Sequence, residues 1–171
     1  MNNAIFLVGA RGSGKTTVGQ QLSKNLNYTF VDTDSYIVNK VNSTISDLVA
    51  LYGWDTFRAL ESQSLIDVTQ PQTIVATGGG MILSEKNRDW MKSHGVVFYL
   101  ATSAEVLSQR LLQDPNNEQR PSLTGLSIAD EIGQILQARE TLYRSTAHYV
   151  VDANLPLDDI VQFIKSKSVP V

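Results

Sequence analysis

The stretch GARGSGKT at residues 9–16 constrains the fold more than any other part of the chain. It matches the pattern G-x-x-x-x-G-K-[ST], with an apolar segment of strand length before it and a helical pattern after it. Glycines in such a loop let successive backbone N–H groups turn inward, and the next helix adds the positive end of its dipole. The pattern therefore predicts a phosphate cradle between a first strand and a first helix.

Further segments of strand length follow, and longer segments of helical period separate them. We predict strands at Ala4–Val8, Thr29–Val31, Thr73–Ala76, Val96–Leu100 and Tyr149–Val151. Each is short and rich in Val, Ile, Phe or Tyr, as expected for a strand buried on both faces. Strands that alternate with helices in this way predict a parallel α/β sheet covered by helices on both sides.

Size and composition fit one such domain and exclude other classes. At 171 residues the chain has room for one domain, residues 1–171, and not for a second of similar size. It has no cysteine, which excludes disulfides and thiolate metal sites. A formal net charge of −3 indicates no broad basic surface for nucleic acid or an anionic membrane. With no apolar run of membrane-spanning length and no secretory signal, we expect a cytoplasmic protein.

The glycine-rich loop also predicts roles for two side chains. Lys15 should reach the β- and γ-phosphates of a nucleotide, and the Thr16 hydroxyl should hold Mg²⁺. The base of that nucleotide is left open by the loop alone. A guanine-specific protein usually carries N-K-x-D after a later strand, whereas the nearest match here, NKVN at residues 39–42, lacks the Asp and follows the second strand. Adenine is therefore the predicted base.

Two carboxylates, Asp32 and Asp34, follow the second predicted strand. Residues two apart on an extended chain point to the same side, so both can face one pocket at the carboxyl edge of the sheet. We predict that Asp32 acts on the Mg²⁺ shell and that Asp34 orients an acceptor hydroxyl. The alternative is that one of the two only caps the next helix.

A predicted helix and a glycine run mark the acceptor side of the same edge. Arg58 and Glu61 are three apart on the helix, so the carboxylate can hold the guanidinium ready to clamp a substrate carboxylate. The alternative is a solvated ion pair. Residues 78–80 are three glycines after the third strand, and they indicate either a close approach of backbone to ligand or a tight turn.

One polar segment, QDPNNEQRP at residues 113–121, interrupts the strand and helix pattern. It has two prolines and no apolar residue. Two interpretations fit a stretch of this length, a solvated surface loop and a mobile lid.

Taken together, the motifs resemble those of the shikimate kinase family. They occur in family order over nearly the whole chain: residues 9–16, DTD at 32–34, FRALE at 57–61, GGG at 78–80, RPSL at 120–123 and RETLY at 139–143. The resemblance implies an α/β, three-layer P-loop kinase fold with a five-stranded parallel sheet flanked by helices. It also implies a substrate-binding helical region at residues 33–62 and a mobile lid at residues 112–125.

The activity that this resemblance implies is transfer of the γ-phosphate of ATP to the 3-hydroxyl of shikimate. That reaction is a step of chorismate and aromatic amino-acid biosynthesis, and Mg²⁺ would be its cofactor. The partners would be ATP and shikimate, with no nucleic acid and no membrane, and the protein would be a monomer.

The resemblance further implies a role for each matching residue. The catalytic residues would be Lys15, Asp34 and Arg120, the last a lid arginine that swings onto the phosphates. ATP would be bound by Gly12, Ser13, Gly14, Lys15, Thr16, Thr17, Arg110, Arg120 and Asn154, with Arg110 against adenine and Asn154 near its edge. Substrate would be bound by Asp34, Arg58, Gly79, Gly80 and Arg139, with the two arginines gripping its carboxylate. Thr16 and Asp32 would hold the metal.

Two other functions stay open. A sugar-acid kinase of the gluconate type would share the loop, the lid and an arginine for a carboxylate. A non-catalytic nucleotide-binding module would usually lack Lys15, Asp34 or Arg120, all of which are present. One position departs from the family pattern, since Ser145 stands where a Glu often follows the tyrosine of the last motif.

Aromatic and imidazole side chains are assigned structural roles. Neither His94 nor His148 has a second His at ligand spacing, so we expect no metal site at either. Trp54 and Phe57 are predicted to belong to the core or to a pocket wall.

Overall fold

The computed structural model of the protein describes residues 3–113 and 127–168, the side chains of residues 128 and 129 excepted. Within these residues, parallel strands form one sheet in the order β2-β3-β1-β4-β5. The strands are β1 Ala4–Val8, β2 Thr29–Asp32, β3 Thr73–Ala76, β4 Gly95–Ala101 and β5 Tyr149–Asp152. The predicted five-stranded parallel sheet is confirmed, and β2, β4 and β5 run one or two residues longer than predicted.

Helices connect the strands and cover both faces of the sheet. In the described residues they are α1 Lys15–Leu26, α2 Thr33–Val41, α3 Ile45–Tyr52, α4 Trp54–Val68, α5 Glu85–His94, α6 Ala104–Leu112, α7 Ile128–Thr146 and α8 Leu157–Ser168, with a short 3-10 helix at Met81–Leu83. Asp32, Thr44, Ser84, Ser103 and Ser127 each begin a helix by accepting a backbone hydrogen bond. No helix in the described segments is long and apolar enough to span a membrane.

Alternation along the strands builds a separate core on each side of the sheet. On one side, Phe6 and Val8 pack with residues of α4, α5 and α7. On the other, Ile5 and Leu7 pack with residues of α1 and α8. The predicted three-layer architecture follows from these two cores.

A third apolar cluster joins α2, α3 and α4 beside the sheet. Ile37, Ile45, Leu48 and Phe57 are buried together there. This cluster holds the helical region that the sequence predicts to bind substrate, and it fixes α4 against α2.

The register of the sheet brings the predicted motifs to one edge. Asp32 pairs with Ala76, and Ala76 pairs with Leu7, so the carboxyl ends of β2, β3 and β1 lie level. The glycine-rich loop follows β1 at this edge. The three glycines at 78–80, which we call the glycine turn, follow β3 there after Thr77. Parallel strands of an open α/β sheet place ligands in this crevice.

The histidine before β5 joins the sheet through its side chain. His148 Nδ1 accepts a hydrogen bond from the Val97 N–H at 2.9 Å. The backbone N–H of His148 donates to the Val97 carbonyl at 2.8 Å. Burial, and to a smaller extent Lys92, lowers the pKa of His148, so the neutral ring is the folded form.

We expect the folded protein to lose stability as acid protonates this histidine. The pKa of His148 is lower in the folded protein than in the unfolded chain, so the unfolded chain takes up the proton first. The stabilisation is complete above the unfolded pKa near 6.5 and is lost as the pH falls through the folded pKa. Thermal unfolding from about pH 8 to about pH 5 should therefore show a falling Tm, with a shallower fall in His148→Gln.

The exposed His94 supplies the control for this measurement. His94 stacks on Trp90 with ring centroids 3.7 Å apart and lies outside the sheet. His94→Gln removes one imidazole without touching the sheet, so an equally shallow fall of Tm in His94→Gln would show that the effect is not specific to His148. Parallel curves for the parent and His148→Gln would contradict the role of His148.

Candidate active site

The loop at residues 9–16 has the backbone conformation of a phosphate cradle. Gly12 and Gly14 have φ of 86° and 98°, a left-handed region that side chains rarely adopt. Gly14 begins α1 without a side-chain cap. The N–H groups of the first turn of α1 and the helix dipole both favour an anion at this helix start.

Lys15 lies against this loop. Its Nζ donates to the Gly9 carbonyl at 2.6 Å and to the Ala10 carbonyl at 2.9 Å. The ammonium group is thus held beside the cradle, half-buried, in the place where phosphate charge would come.

A pocket with polar and apolar lining residues opens over the loop. Its lining includes the predicted ATP residues Gly12, Ser13, Gly14, Lys15, Thr16, Thr17 and Arg110, and the apolar residues Ala153, Leu155, Leu157 and Ile160. We call this the nucleotide pocket, since the polar lining suits phosphates and the apolar lining suits a base.

Of the two predicted adenine contacts, Arg110 lines this pocket and Asn154 does not. The exposed Arg110 lines it, and its Nη1 donates to the Gly12 carbonyl at 3.1 Å. Asn154 stands between the lining residues Ala153 and Leu155, and its backbone N–H donates to Asp152 Oδ1 at 2.9 Å. The Asn154 side chain itself does not line the pocket.

The two predicted metal ligands contact each other in the nucleotide pocket. Thr16 Oγ1 donates to Asp32 Oδ2 at 3.0 Å, while Asp32 Oδ1 accepts from the Ser35 N–H at 3.1 Å. Asp32 therefore both caps α2 and faces the loop. No group of three or more His, Cys, Asp or Glu suited to a metal occurs in the described part of the chain. Two oxygens fit Mg²⁺, which keeps several waters and takes further ligands from phosphates.

The expected geometry of Asp34 is wrong. The second strand ends at Asp32 and α2 begins at Thr33, so Asp34 lies in the first turn of a helix and not on an extended chain. The Asp32 cap turns the chain into α2 at once, which the strand pattern did not anticipate. Asp34 is only 7% exposed, and both carboxylates line the nucleotide pocket.

A second pocket, which we call the acceptor pocket, adjoins the first. Its polar lining includes Asp34, Arg58, Glu61, Arg139 and the glycine turn at 78–80, and its apolar walls come from Ile45, Trp54, Phe57, Ile132, Ile135 and Leu136. Arg11, Asp34, Gly78, Gly79 and Leu111 line both pockets. A molecule in one pocket would therefore lie next to a molecule in the other, with Asp34 between them.

In the acceptor pocket, the buried Glu61 holds the Arg58 guanidinium. Arg58 Nη1 donates to Glu61 Oε1 at 2.9 Å, and Glu61 is only 1% exposed. Burial raises the pKa of Glu61, and the charge of Arg58 opposes that rise. Arg58 also lies over the Trp54 ring, with Cζ 5.2 Å from its centroid. The Arg58 guanidinium is thus partly buried and held in place by Glu61. The alternative of a solvated ion pair is wrong.

The glycine turn is needed because side chains of the site press against it. A β-carbon on Gly78 would lie 2.8 Å from Asp34 Oδ1, and one on Gly80 would lie 2.2 Å from Arg58 Nη1. The Met81 N–H also donates to the Gly78 carbonyl at 3.1 Å, which closes a turn. Both a tight turn and a close approach are present, and the approaching groups belong to the protein itself.

Arg139 reaches the same turn from α7. Its Nη1 would lie 3.6 Å from a β-carbon on Gly79. The two arginines predicted to grip a carboxylate are thus brought against neighbouring glycines in one pocket.

One face of α7 was missed by the sequence analysis. Ile132, Leu136, Arg139 and Tyr143 follow one another at intervals of four, three and four and all line the acceptor pocket. That spacing places them on a single helix face, so helical periodicity around Arg139 was the available signal.

Arg120 and most of the predicted lid at 112–125 lie outside the described residues. Leu112 and Gln113 end the described segment on that side. The predicted swing of Arg120 stays a prediction.

Comparison with known proteins shows which family model and which relatives the chain matches. The shikimate kinase family model matches residues 11–167. A shikimate kinase 2 from Syntrophotalea carbinolica is 54% identical over 155 residues, covering 91% of this chain and 90% of the relative. A shikimate kinase 2 from Photorhabdus laumondii is 50% identical over 165 residues, covering 96% and 95%.

Solved structures of other kinases share the fold of this chain. A shikimate kinase from Acinetobacter baumannii, solved in complex with shikimate, superposes with a TM-score of 0.89 at 34% identity, covering 98% of this chain and 96% of that chain. A gluconokinase from Sinorhizobium meliloti gives a TM-score of 0.53 at 17% identity, covering 94% and 88%, which reflects a shared fold alone.

Proposed function

The chain belongs to the shikimate kinase family, and on that basis we propose that its two adjoining pockets hold ATP and shikimate side by side. The enzyme transfers the γ-phosphate of ATP to the 3-hydroxyl of shikimate, giving shikimate 3-phosphate and ADP. The observation that carries this assignment is the sharing of Asp34, Gly78 and Gly79 by both pockets. Phosphoryl transfer depends on holding donor and acceptor in line, which adjoining pockets allow.

On the nucleotide side, the loop and the start of α1 hold the phosphates of ATP. Lys15 exchanges the Gly9 and Ala10 carbonyls for phosphate oxygens when the nucleotide enters, and its charge stabilises the transferring group. Thr17 adds to the polar lining of the pocket. Adenine packs on the apolar lining, with Arg110 against its face and Asn154 near its edge.

Thr16 and Asp32 are the residues that would hold Mg²⁺. The ion, when bound, neutralises charge on the phosphates of ATP. The contact between Thr16 Oγ1 and Asp32 Oδ2 supports this role, because it places a hydroxyl and a carboxylate oxygen together in the nucleotide pocket.

On the acceptor side, Arg58 and Arg139 bind the shikimate carboxylate, and Gly79 and Gly80 contact the ring hydroxyls. Asp34 accepts a hydrogen bond from the 3-hydroxyl and takes its proton as the new P–O bond forms. Its position between the two pockets supports this role. Arg120 of the predicted lid completes the positive charge around the phosphates.

We further propose that the enzyme acts as a monomer in the cytoplasm. Residues of a single chain line both pockets, so the site needs no second copy. Light scattering of the purified protein with and without ATP should give the mass of one chain.

A coupled assay that offers shikimate, gluconate and nucleoside monophosphates separately tests the assignment. We expect ADP release with shikimate alone, and phosphorus NMR should identify the product as shikimate 3-phosphate. ADP release with gluconate instead would assign a sugar-acid kinase. Release with none of the three would indicate a nucleotide-binding module, and the absence of shikimate-dependent release would overturn the proposal.

Arg58→Ala should weaken shikimate binding while ATP still binds. Loss of a charge-assisted pair with the carboxylate should raise the KM for shikimate about 100-fold, while the KM for ATP stays within about threefold. Steady-state kinetics and calorimetric titration of ATP measure the two effects. Arg88→Ala is the control, because Arg88 donates to the Ile82 carbonyl and lines neither pocket. Equal losses of ATP and shikimate affinity in Arg58→Ala would contradict the assigned role.

A further inference from the structure

A buried tyrosine behind the glycine turn touches two groups of the acceptor pocket. Tyr143 lies one helical turn after Arg139 on α7 and is only 1% exposed. Its hydroxyl donates to the Gly79 carbonyl at 2.6 Å. Burial raises the pKa of Tyr143 to about 12, so the hydroxyl keeps its proton for this bond at neutral pH.

The Arg139 guanidinium lies near the same hydroxyl, because a β-carbon on Gly79 would be 3.6 Å from Arg139 Nη1 and 3.7 Å from the Tyr143 hydroxyl oxygen. A phenol has one proton to donate and lone pairs to accept, so Tyr143 can donate to Gly79 and accept from Arg139 at once. One oxygen atom is thus bonded to the glycine turn and lies near an arginine of the acceptor pocket.

The bond to Gly79 sets the orientation of a peptide unit that has no side chains to hold it. The C=O and N–H of a trans peptide point in opposite directions, and the described residues contain no cis peptide bond. A Gly79 carbonyl fixed on Tyr143 therefore directs the Gly80 N–H to the other side of the turn. Because glycine restricts the rotation of its peptide units least, the hydrogen bond from Tyr143 is what restrains the Gly79–Gly80 peptide.

A second aromatic ring holds the Tyr143 ring in place. It stacks on Tyr99 of β4, with centroids 4.9 Å apart and planes 13° from parallel. The Tyr99 hydroxyl donates to Glu140, and Glu140 accepts a further bond from Arg144 Nε at 2.5 Å. A ring fixed in the core thus places the Tyr143 hydroxyl at the Gly79 carbonyl.

We propose that Tyr143 is a positioning residue for the acceptor, which orients the Gly79–Gly80 peptide and the Arg139 guanidinium for shikimate. The inference rests on the proposed function. Tyr143 acts through Gly79 and Arg139 and does not touch the reacting atoms, so its loss should impair acceptor binding more than the chemical step.

Tyr143→Phe tests the inference, because it keeps the ring and the stacking and removes only the hydroxyl. We expect the KM for shikimate to rise about tenfold, with kcat within about threefold and the KM for ATP unchanged. The matched control is Tyr36→Phe, which also removes a phenol hydroxyl, here one that donates to Asp67 Oδ2 at 3.0 Å, and which lines neither pocket. Its KM for shikimate should stay near that of the parent.

Three outcomes would overturn the inference. They are an unchanged KM for shikimate in Tyr143→Phe, an equal rise in the KM for ATP, and the same rise in the KM for shikimate in Tyr36→Phe. Failure of the unaltered protein to phosphorylate shikimate would instead contradict the proposed function, so the two failures are distinguishable.

A measurement on the unaltered protein covers the case in which Tyr143→Phe does not fold. NMR with ¹³C-labelled tyrosine should show a slowly exchanging hydroxyl proton at Tyr143 whose chemical shift moves when shikimate is added. A hydroxyl proton that does not respond to bound shikimate would overturn the inference.

Discussion

Lys15→Met is expected to lower kcat by about 10³-fold or more, because it removes a positive charge from the transferring phosphate. Methionine keeps most of the length and the apolar stem of the side chain. The loss of kcat should therefore exceed any loss of ATP affinity, since the phosphates still meet the loop backbone and the start of α1. Single-turnover kinetics and calorimetric titration of ATP separate the two.

Lys24→Met is the control for this substitution, because Lys24 lies exposed in the last turn of α1. It should leave kcat unchanged. Lys15 also holds the Gly9 and Ala10 carbonyls, so the Tm of Lys15→Met must be measured beside its kcat. A kcat within about tenfold of the parent in a folded Lys15→Met would contradict the role of the charge.

Asp34→Asn should lower kcat by about 10²- to 10⁴-fold, the range typical of a lost general base. Asparagine has nearly the same shape and can still hydrogen-bond the 3-hydroxyl, but it cannot take the proton. The KM for shikimate should therefore change much less than kcat. Steady-state kinetics with shikimate as the varied substrate measures both.

Asp47→Asn is the matched control for that charge change. Asp47 lies exposed on α3, in the same helical region, and lines neither pocket. Its kcat and KM should equal those of the parent. A kcat for Asp34→Asn within about threefold of the parent would contradict proton transfer to Asp34.

The parts of the fold that the sequence predicted correctly have local determinants. An apolar segment, a glycine-rich loop and a helical period follow one another at residues 4–26, and each has its own signature. The prediction of an extended chain through Asp34 was wrong because one side-chain hydrogen bond begins a helix there. Asp32 accepts from the Ser35 N–H and caps α2, which begins at Thr33 directly after the strand.

The relation between Glu61 and Tyr143 could not be predicted from the sequence. Both are buried because α4 and α7 approach the same glycine turn from different directions, which is a tertiary arrangement. Sequence spacing showed only that Arg58 and Glu61 are neighbours. It could not show that Glu61 is enclosed or that the Tyr143 hydroxyl meets the Gly79 carbonyl.

The net charge likewise hides the electrostatics of the site. The chain as a whole carries −3. The residues around the two pockets nevertheless include Arg11, Arg58, Arg110 and Arg139. With Lys15 these cations face four carboxylates, those of Asp32, Asp34, Glu61 and Glu131, so the lining carries a small positive excess within a mildly acidic protein. Its arginines suit the phosphates of a nucleoside triphosphate and the carboxylate of a ring.

A crystal structure with ADP and shikimate bound tests most directly whether donor and acceptor meet at Asp34. We predict that Arg58 and Arg139 both hydrogen-bond the shikimate carboxylate. The 3-hydroxyl should lie within hydrogen-bond distance of Asp34 and face the β-phosphate of ADP. A carboxylate that meets neither arginine, or a ring bound away from the Gly79 turn, would contradict the account.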